Sequence, residues 1–311
     1  MIETNELSKN AMGGTELMMK GLYEHVDTDF LKQFQIIPSR TRRIDDNRKT
    51  ILYLHDLPGD PEVQHLKDGG WEKYDQLVFV SHWQQQMYNA YLGVPYSAGV
   101  VLRNAIMPIE THTKPKDKIR LIYTSTPHRG LDILYVAFNE LAKHYDNVEL
   151  NVYSSFNLYG WPQRDEPYGE LFDRLRAHPQ INYHGSKPND EIREALKNSH
   201  ILAYPSVWQE TSCLCLIEAM SAGCLAVHSS LAALPETSMS LTQMYQYTEN
   251  VQDHANLFYS HLKHGVDNWA KNSIQLQSNL DVIKQLTDSI YSWDGRKQQW
   301  INNLLTISKK V

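Results

Sequence analysis

Short apolar runs alternate along this chain with stretches whose apolar residues recur at helical spacing. The clearest unit lies between residues 201 and 237. Ile201-Leu202-Ala203 is bulky enough to be a buried strand, and Pro205 and Ser206 stop it. A loop follows, then an apolar helix from about Ser212, with Gly223 as its C′ residue. Leu225 to His228 reads as a second strand. Strand, loop, helix and strand in that order make the parallel crossover of an α/β sheet.

The same alternation continues on both sides. Gln33–Pro38, Thr50–Leu54, Gln76–Val80 and Val100–Leu102 read as strands of one sheet. The segment Met107–Asp117, rich in proline, threonine and charge, reads as a linker. Beyond it Lys118–Thr124 reads as a strand before a helix from near Asp132. Val148–Ser154 and the start of Ile181–Gly185 are further strands, and Lys187–Asn198 is a helix with Asp190 and Glu191 in its first turn. Phe156–Trp161 is expected to be a loop packed over the domain edge. A last helix, Gly295–Lys309, carries an apolar stripe of Trp300, Ile301, Leu304 and Leu305. The expected division is 1–106, 107–293 and a terminal helix over 294–311. At the start, Gly13-Gly14-Thr15-Glu16 opens a helix running to about Val26, and residues 1–12 contain no credible strand.

Composition narrows the function. Of 311 residues, 41% are hydrophobic and 21% charged, as in a soluble globular protein. A net charge of −6 argues against a nucleic-acid scaffold. No apolar run reaches membrane-spanning length, and the polar start is not a signal peptide, so a cytoplasmic protein is expected. Cys213, Cys215 and Cys224 form no C-x-x-C pair and read as buried reduced thiols. The basic cluster Arg40, Arg42, Arg43, Arg48 and Lys49 is interrupted by Asp45 and Asp46 and reads first as a solvated loop. Weak peripheral membrane contact, or an anionic acceptor, is its lesser reading.

Two acids stand out in the central unit. Glu210 lies in the loop, and Glu218 lies two turns into the helix among Leu214, Leu216, Ile217, Ala219 and Met220. A carboxylate in such company needs a partner. Loops at the carboxyl ends of parallel strands hold ligands, and a helix start suits a phosphate. An anion at the helix start and a polyol on Glu218 together describe a sugar nucleotide. Gly13 and Gly14 would let a backbone approach a phosphate. His55, Ser81 and Asn104 each follow a strand and are expected to point into one cleft, with His82 and Asp56 ranked lower.

These residues resemble retaining glycosyltransferases of the GT-B fold, above all glycosyltransferase family 4 (group 1). Glu210 and Glu218 have the E-x(7)-E spacing, preceded by PS-x-W-x-E, continued by EAM-x-AG and followed by Leu234-Pro235-Glu236. The resemblance implies an α/β chain with two Rossmann-like domains facing each other across a cleft, the amino-terminal one shortened, and a terminal helix packing back on it. It gives Gly13 and Gly14 the donor diphosphate and His55 a place near the donor sugar. Arg129, before Gly130, matches the family's phosphate-binding lysine; the family's earlier arginine is missing, and His128 is a candidate to compensate. Ser212 joins the donor-binding residues. Asn104 matches the asparagine of the family's P-N-G segment, here R-N-A, and reads mainly as the domain junction. The stretch Ile181–Gly185 lies near the donor base.

The implied reaction is hexosyl transfer with retention, from a nucleotide-diphosphate sugar to a carbohydrate, glycolipid or other hydroxyl acceptor. Glu210 would contact the donor sugar and Glu218 the ribose hydroxyls. No D-x-D motif occurs, so no metal or other cofactor is expected, and Arg129 with backbone amides would stabilise the leaving diphosphate. Three alternatives remain at this level: a sugar-nucleotide epimerase on the same architecture, a catalytically silent binding protein, and a dinucleotide oxidoreductase. The last lacks G-x-G-x-x-G after a strand.

Overall fold

A computed structural model describes residues 13–41 and 43–309. The expectation that no strand precedes Gly13 falls outside them, as does Arg42. Helix α1 (Gly14–His25) and the single turn α2 (Thr28–Leu31) lead into β1 (Phe34–Pro38) and β2 (Lys49–Tyr53). Two 3-10 turns then reach β3 (Gln76–Phe79), and α3 (His82–Leu92) crosses over to β4 (Gly99–Val101). These four strands form one parallel sheet in chain order.

The strands are apolar at nearly every position because both faces of the sheet are covered. Side chains alternate between faces. Ile36, Ile51, Tyr53, Val78 and Val80 join Met18, Met19 and Leu22 of α1 on one face. Ile37, Leu52, Leu54, Leu77 and Phe79 join Leu66, Tyr88 and Leu92 on the other.

The second sheet begins with β5 (Ile119–Thr124), followed by α4 (Leu131–Ala142) and β6 (Val148–Tyr153). After two 3-10 turns come α5 (Gly169–Ala177), β7 (Ile181–Tyr183), α6 (Asn189–Lys197) and β8 (Ile201–Tyr204). Helix α7 (Leu214–Ser221), β9 (Leu225–Ser229), the turn α8 (Leu234–Thr237) and β10 (Gln243–Tyr245) complete it. Its order is β10-β9-β8-β5-β6-β7, all parallel, so the order of winding reverses between β5 and β8. That is the doubly wound arrangement, whose crevice opens at the switch point.

Helix α7 begins at Leu214, two residues later than its apolar pattern suggests, because Cys213 is still extended. It ends as expected. Gly223 has φ +63°, the Gly223 N–H donates to the Met220 carbonyl, and the Cys224 N–H donates to that of Ala219. This is the paired closure of a Schellman motif.

One long element was not foreseen. Helix α9 spans Val251–Tyr291 with a break at Asn272 (φ −132°, ψ 30°), and it packs on α4, α7, β9 and β10. The chain then turns at Ser292 into α10 (Trp293–Ser308), which leaves the second sheet for the first. Trp300, Leu304 and Ile307 are buried beside Met18, Leu22 and Tyr53. Ile307, not Leu305, completes the stripe: Leu305 is 43% exposed, since steps of four and three residues carry the buried line from Trp300 through Leu304 to Ile307.

The chain crosses between the sheets at two adjacent points. The Ile106 N–H donates to the Tyr291 carbonyl (2.7 Å), and the Trp293 N–H donates to that of Ile106 (3.2 Å). Among the described residues no helix is long and apolar enough to cross a membrane.

Candidate active site

The loops after β5 and β8 straddle the switch point, and each brings one charged group to it. The first loop is turned by Gly130, whose φ of +100° favours glycine and whose Cβ would lie 2.1 Å from the Pro205 carbonyl oxygen. This close approach sets Arg129 against the second loop. The Arg129 Nη1 lies 3.1 Å from Glu210 Oε1 in an ion pair, and the Tyr204 hydroxyl donates to the same oxygen at 2.6 Å. Glu210 Oε2 makes no hydrogen bond among the described residues. Burial opposes the charge on Arg129, but Glu210, with Tyr159 and Tyr204 beyond it, holds the guanidinium protonated.

Glu218 lies one turn into α7 and is only 6% exposed. Its burial raises its pKa, against the pull of Arg193 and Asn189. The Asn189 Nδ2 donates to both carboxylate oxygens at 3.2 Å, and the Arg193 Nη1 donates to Oε1 at 3.0 Å. Neither residue was singled out from the sequence.

A cleft of about 1170 Å³ runs between the two sheets and contains Gly13, Gly14, His55, Asn104, Arg129, Glu210, Ser212 and Glu218 in its walls. The structure therefore brings these eight residues together, but neither Ser81 nor His82. Gly13 is the N-cap of α1, so the start of that helix opens on the cleft. Tyr159 stands so close over Gly13 that a Cβ there would meet its ring at 2.6 Å. The ring of His55 leans on Tyr53, with centroids 4.2 Å apart. Its Nε2 is buried without a partner, and burial pushes the imidazole pKa down to about 3, so the ring is neutral. Asp56 Oδ2 and Asn104 Oδ1 are likewise buried in this wall without hydrogen bonds. Unsatisfied polar atoms gathered in one cleft mark where a polar ligand would complete them.

Several expectations need correcting. Ser81 caps α3 and donates from its hydroxyl to the Thr211 carbonyl at 2.6 Å, so it ties the two units together and does not line the cleft. Phe156–Tyr159 forms a 3-10 turn, and Phe156, Leu158, Tyr159 and Trp161 line the cleft rather than packing over an edge. His128 stacks on Phe156 and its pKa falls to about 4, through burial and the nearby Arg129. A neutral ring does not replace the missing arginine; Arg40, Arg164 and Lys187 are the other cations in the cleft walls. The basic cluster separates accordingly. Arg48 pairs with Asp45, Lys49 with Asp75, Arg43 is exposed, and Arg40 lines the cleft.

The units are latched beside the cleft. Glu236 accepts from the backbone N–H groups of His82 and Trp83 at the start of α3, both at 3.0 Å, with Arg103 at 3.4 Å. The Thr211 hydroxyl donates to the His55 carbonyl (2.9 Å), and the Asn104 Nδ2 to that of Ser212 (3.4 Å). Asn104 is thus both junction and cleft wall.

Residues 104–246 match the family model of glycosyl transferases group 1. No curated protein sequence matches the chain. Among solved structures, a glycosyltransferase from Rickettsia africae superposes with a TM-score of 0.72 at 14% identity, over 100% of this chain and 85% of that one. Anabaena HepE, in complex with UDP-glucose, gives 0.63 at 16% identity, over 83% of this chain and 72% of its own. Sucrose-phosphate synthase from Thermosynechococcus elongatus gives 0.66 at 11%, over 85% and 69%. These likenesses are of the GT-B fold.

Proposed function

We propose that this chain, a GT-B glycosyltransferase with its group 1 domain over residues 104–246, moves a sugar from a nucleoside-diphosphate sugar to a hydroxyl acceptor, with retention and without a metal ion. The observation that carries the reading is the ion pair of Arg129 and Glu210 at the switch point, with Glu218 one turn into α7 and the start of α1 across the cleft. The UDP-glucose held by HepE supports the class of donor.

In this reading the leaving diphosphate lies between Arg129 and the backbone amides at the starts of α1 and α7. Fixed positive charge there stabilises the negative charge that grows as the bond from the anomeric carbon to the phosphate oxygen breaks. The acceptor oxygen bonds to that carbon on the same face, and its proton passes to the departing phosphate oxygen. Glu210, held by Tyr204 and Arg129 through one oxygen, keeps the other for a donor-sugar hydroxyl. Neutral His55 offers Nε2 to the same sugar. Glu218 binds the ribose hydroxyls.

Incubation with a panel of nucleotide sugars tests this, read by hydrolysis and by thermal stabilisation. One of them should be hydrolysed slowly and raise the melting temperature. Glu210→Ala should then reduce kcat more than donor affinity, and Glu218→Ala should reduce donor affinity. A panel without a hit would refute the reading, and an epimerised nucleotide sugar formed without acceptor would replace it with an epimerase.

A further inference from the structure

A carboxylate buried in an apolar helix is costly unless its oxygens are paired. Glu218 has acquired such pairing from the neighbouring helix α6. Its Oε1 receives Arg193 and Asn189, its Oε2 receives Asn189 alone, and a carboxylate accepts about four hydrogen bonds. One acceptor position on Oε2 is thus left. Asn189 lines the cleft, whereas Arg193 is not among the lining residues. Arg193 also reaches away from the site: its Nη2 donates to the Met107 carbonyl at 2.7 Å. One planar guanidinium therefore spans Glu218 and the segment joining the two units, a geometry a point-charge ammonium cannot reproduce.

We propose that Arg193 is a positioning residue for donor binding: it holds Glu218 from behind through Oε1 and leaves Oε2 turned to the ribose hydroxyls. The inference rests on the reading of Glu218 as the ribose-binding carboxylate. Asn189 gives way to the second hydroxyl as the diol arrives, while Arg193 stays in place. Among the described residues Arg193 is the charged side chain acting on Glu218. On the same helix Asp190, Glu191 and Glu194 are exposed, Lys197 pairs with Glu194, and Lys187 just before it pairs with Glu191. Helix α7 adds Cys215, one turn before Glu218.

Calorimetry with UDP, GDP and ADP in parallel, from pH 6 to 8.5, tests the inference. Arg193→Met should weaken the nucleotide that binds by about tenfold at pH 7.5, the worth of one charge-assisted hydrogen bond. The loss should deepen toward pH 6, because without the guanidinium Glu218 takes up a proton at higher pH. Arg193→Lys should restore the flat pH profile and part of the affinity. Glu218→Gln should weaken binding equally at every pH. If Arg193→Met binds as the wild type does across the range while Glu218→Gln does not, Arg193 only staples the linker and the inference falls alone. If Glu218→Gln leaves affinity unchanged, or no nucleotide binds the wild-type protein, the ribose assignment falls and takes the inference with it. Where Arg193→Met does not fold, the pH profile of Arg193→Lys decides: affinity and profile both equal to wild type would refute the positioning role.

Discussion

The two walls of the cleft are built differently. The wall from the second sheet draws its charged groups from two loops that meet at a switch point and from the helices beside them. Its key side chains are held: Glu210 by Tyr204 and Arg129, Glu218 by Asn189 and Arg193. The wall from the first sheet is made of the start of α1 and the turns after β1 and β2. There His55 Nε2 and Asp56 Oδ2 are left without partners. One wall is pre-organised around paired charges, with Thr124 Oγ1, His128 Nδ1 and Arg129 Nε beside them unpartnered, and the other presents unpartnered polar atoms around a neutral ring.

The largest effect expected from breaking this contrast is on chemistry. Arg129→Ala should reduce kcat by about 10²- to 10³-fold, as for loss of one preorganised oxyanion donor. It should also destabilise the protein in a urea melt, because Glu210 stays buried without its cation. A variant with near-normal turnover would place the fixed charge elsewhere.

Next comes stability confined to one unit. Trp300→Ala, at a fully buried position, should cost about 3–5 kcal/mol. Hydrogen exchange should show β1 to β4 losing protection before β5 to β10. Equal loss in both sheets would show that they unfold together.

Acid acts on both units, because His55 in the first is neutral as well, and supplies a third test. His200 and His228 are buried in the second unit as neutral rings, with pKa values pushed down to about 4 by burial. Their ring nitrogens are committed to Arg120, Pro115, Ser229 and Thr242. The unfolded chain takes up these protons near pH 6.5. Stability is therefore complete above about pH 6.5 and falls as pH drops toward 4. Melting at pH 5 should lie below that at pH 7.5, and His228→Gln should reduce the difference.

The smallest effect concerns the latch. Glu236→Gln should cost about 1 kcal/mol or less, since Glu236 is part exposed and its partners are backbone amides and a distant arginine. Small-angle scattering should show a slightly larger radius of gyration without donor, and no change would make the latch irrelevant to opening.

How much could be read from the chain follows the same division. Glu210, Glu218 and the turn at Gly130 lie in segments where strand, loop and helix follow one another, so their relation is local. Arg193 was invisible because its role depends on α6 lying beside α7, and nothing in its own helix distinguishes it. Arg40 was lost within a basic cluster whose members point to different partners. Helix α9 was missed although Asn250 caps it and His254, Phe258, Leu262, Val266 and Trp269 recur at helical spacing. Its many polar positions hid the stripe, and the break at Asn272 shifted its phase. The aromatic run at 156–161 reads as an edge loop because its turn gives no sign of which neighbour it will cover.

The return of α10 to the first sheet has a consequence for how the molecule is made. The strands of the first sheet are synthesised well before the helix that covers them. Until Trp300 and Leu304 arrive, Met18, Met19 and Leu22 have no lid, and that apolar face stays exposed. The second half, complete in its own core, is free to fold while the first is still waiting.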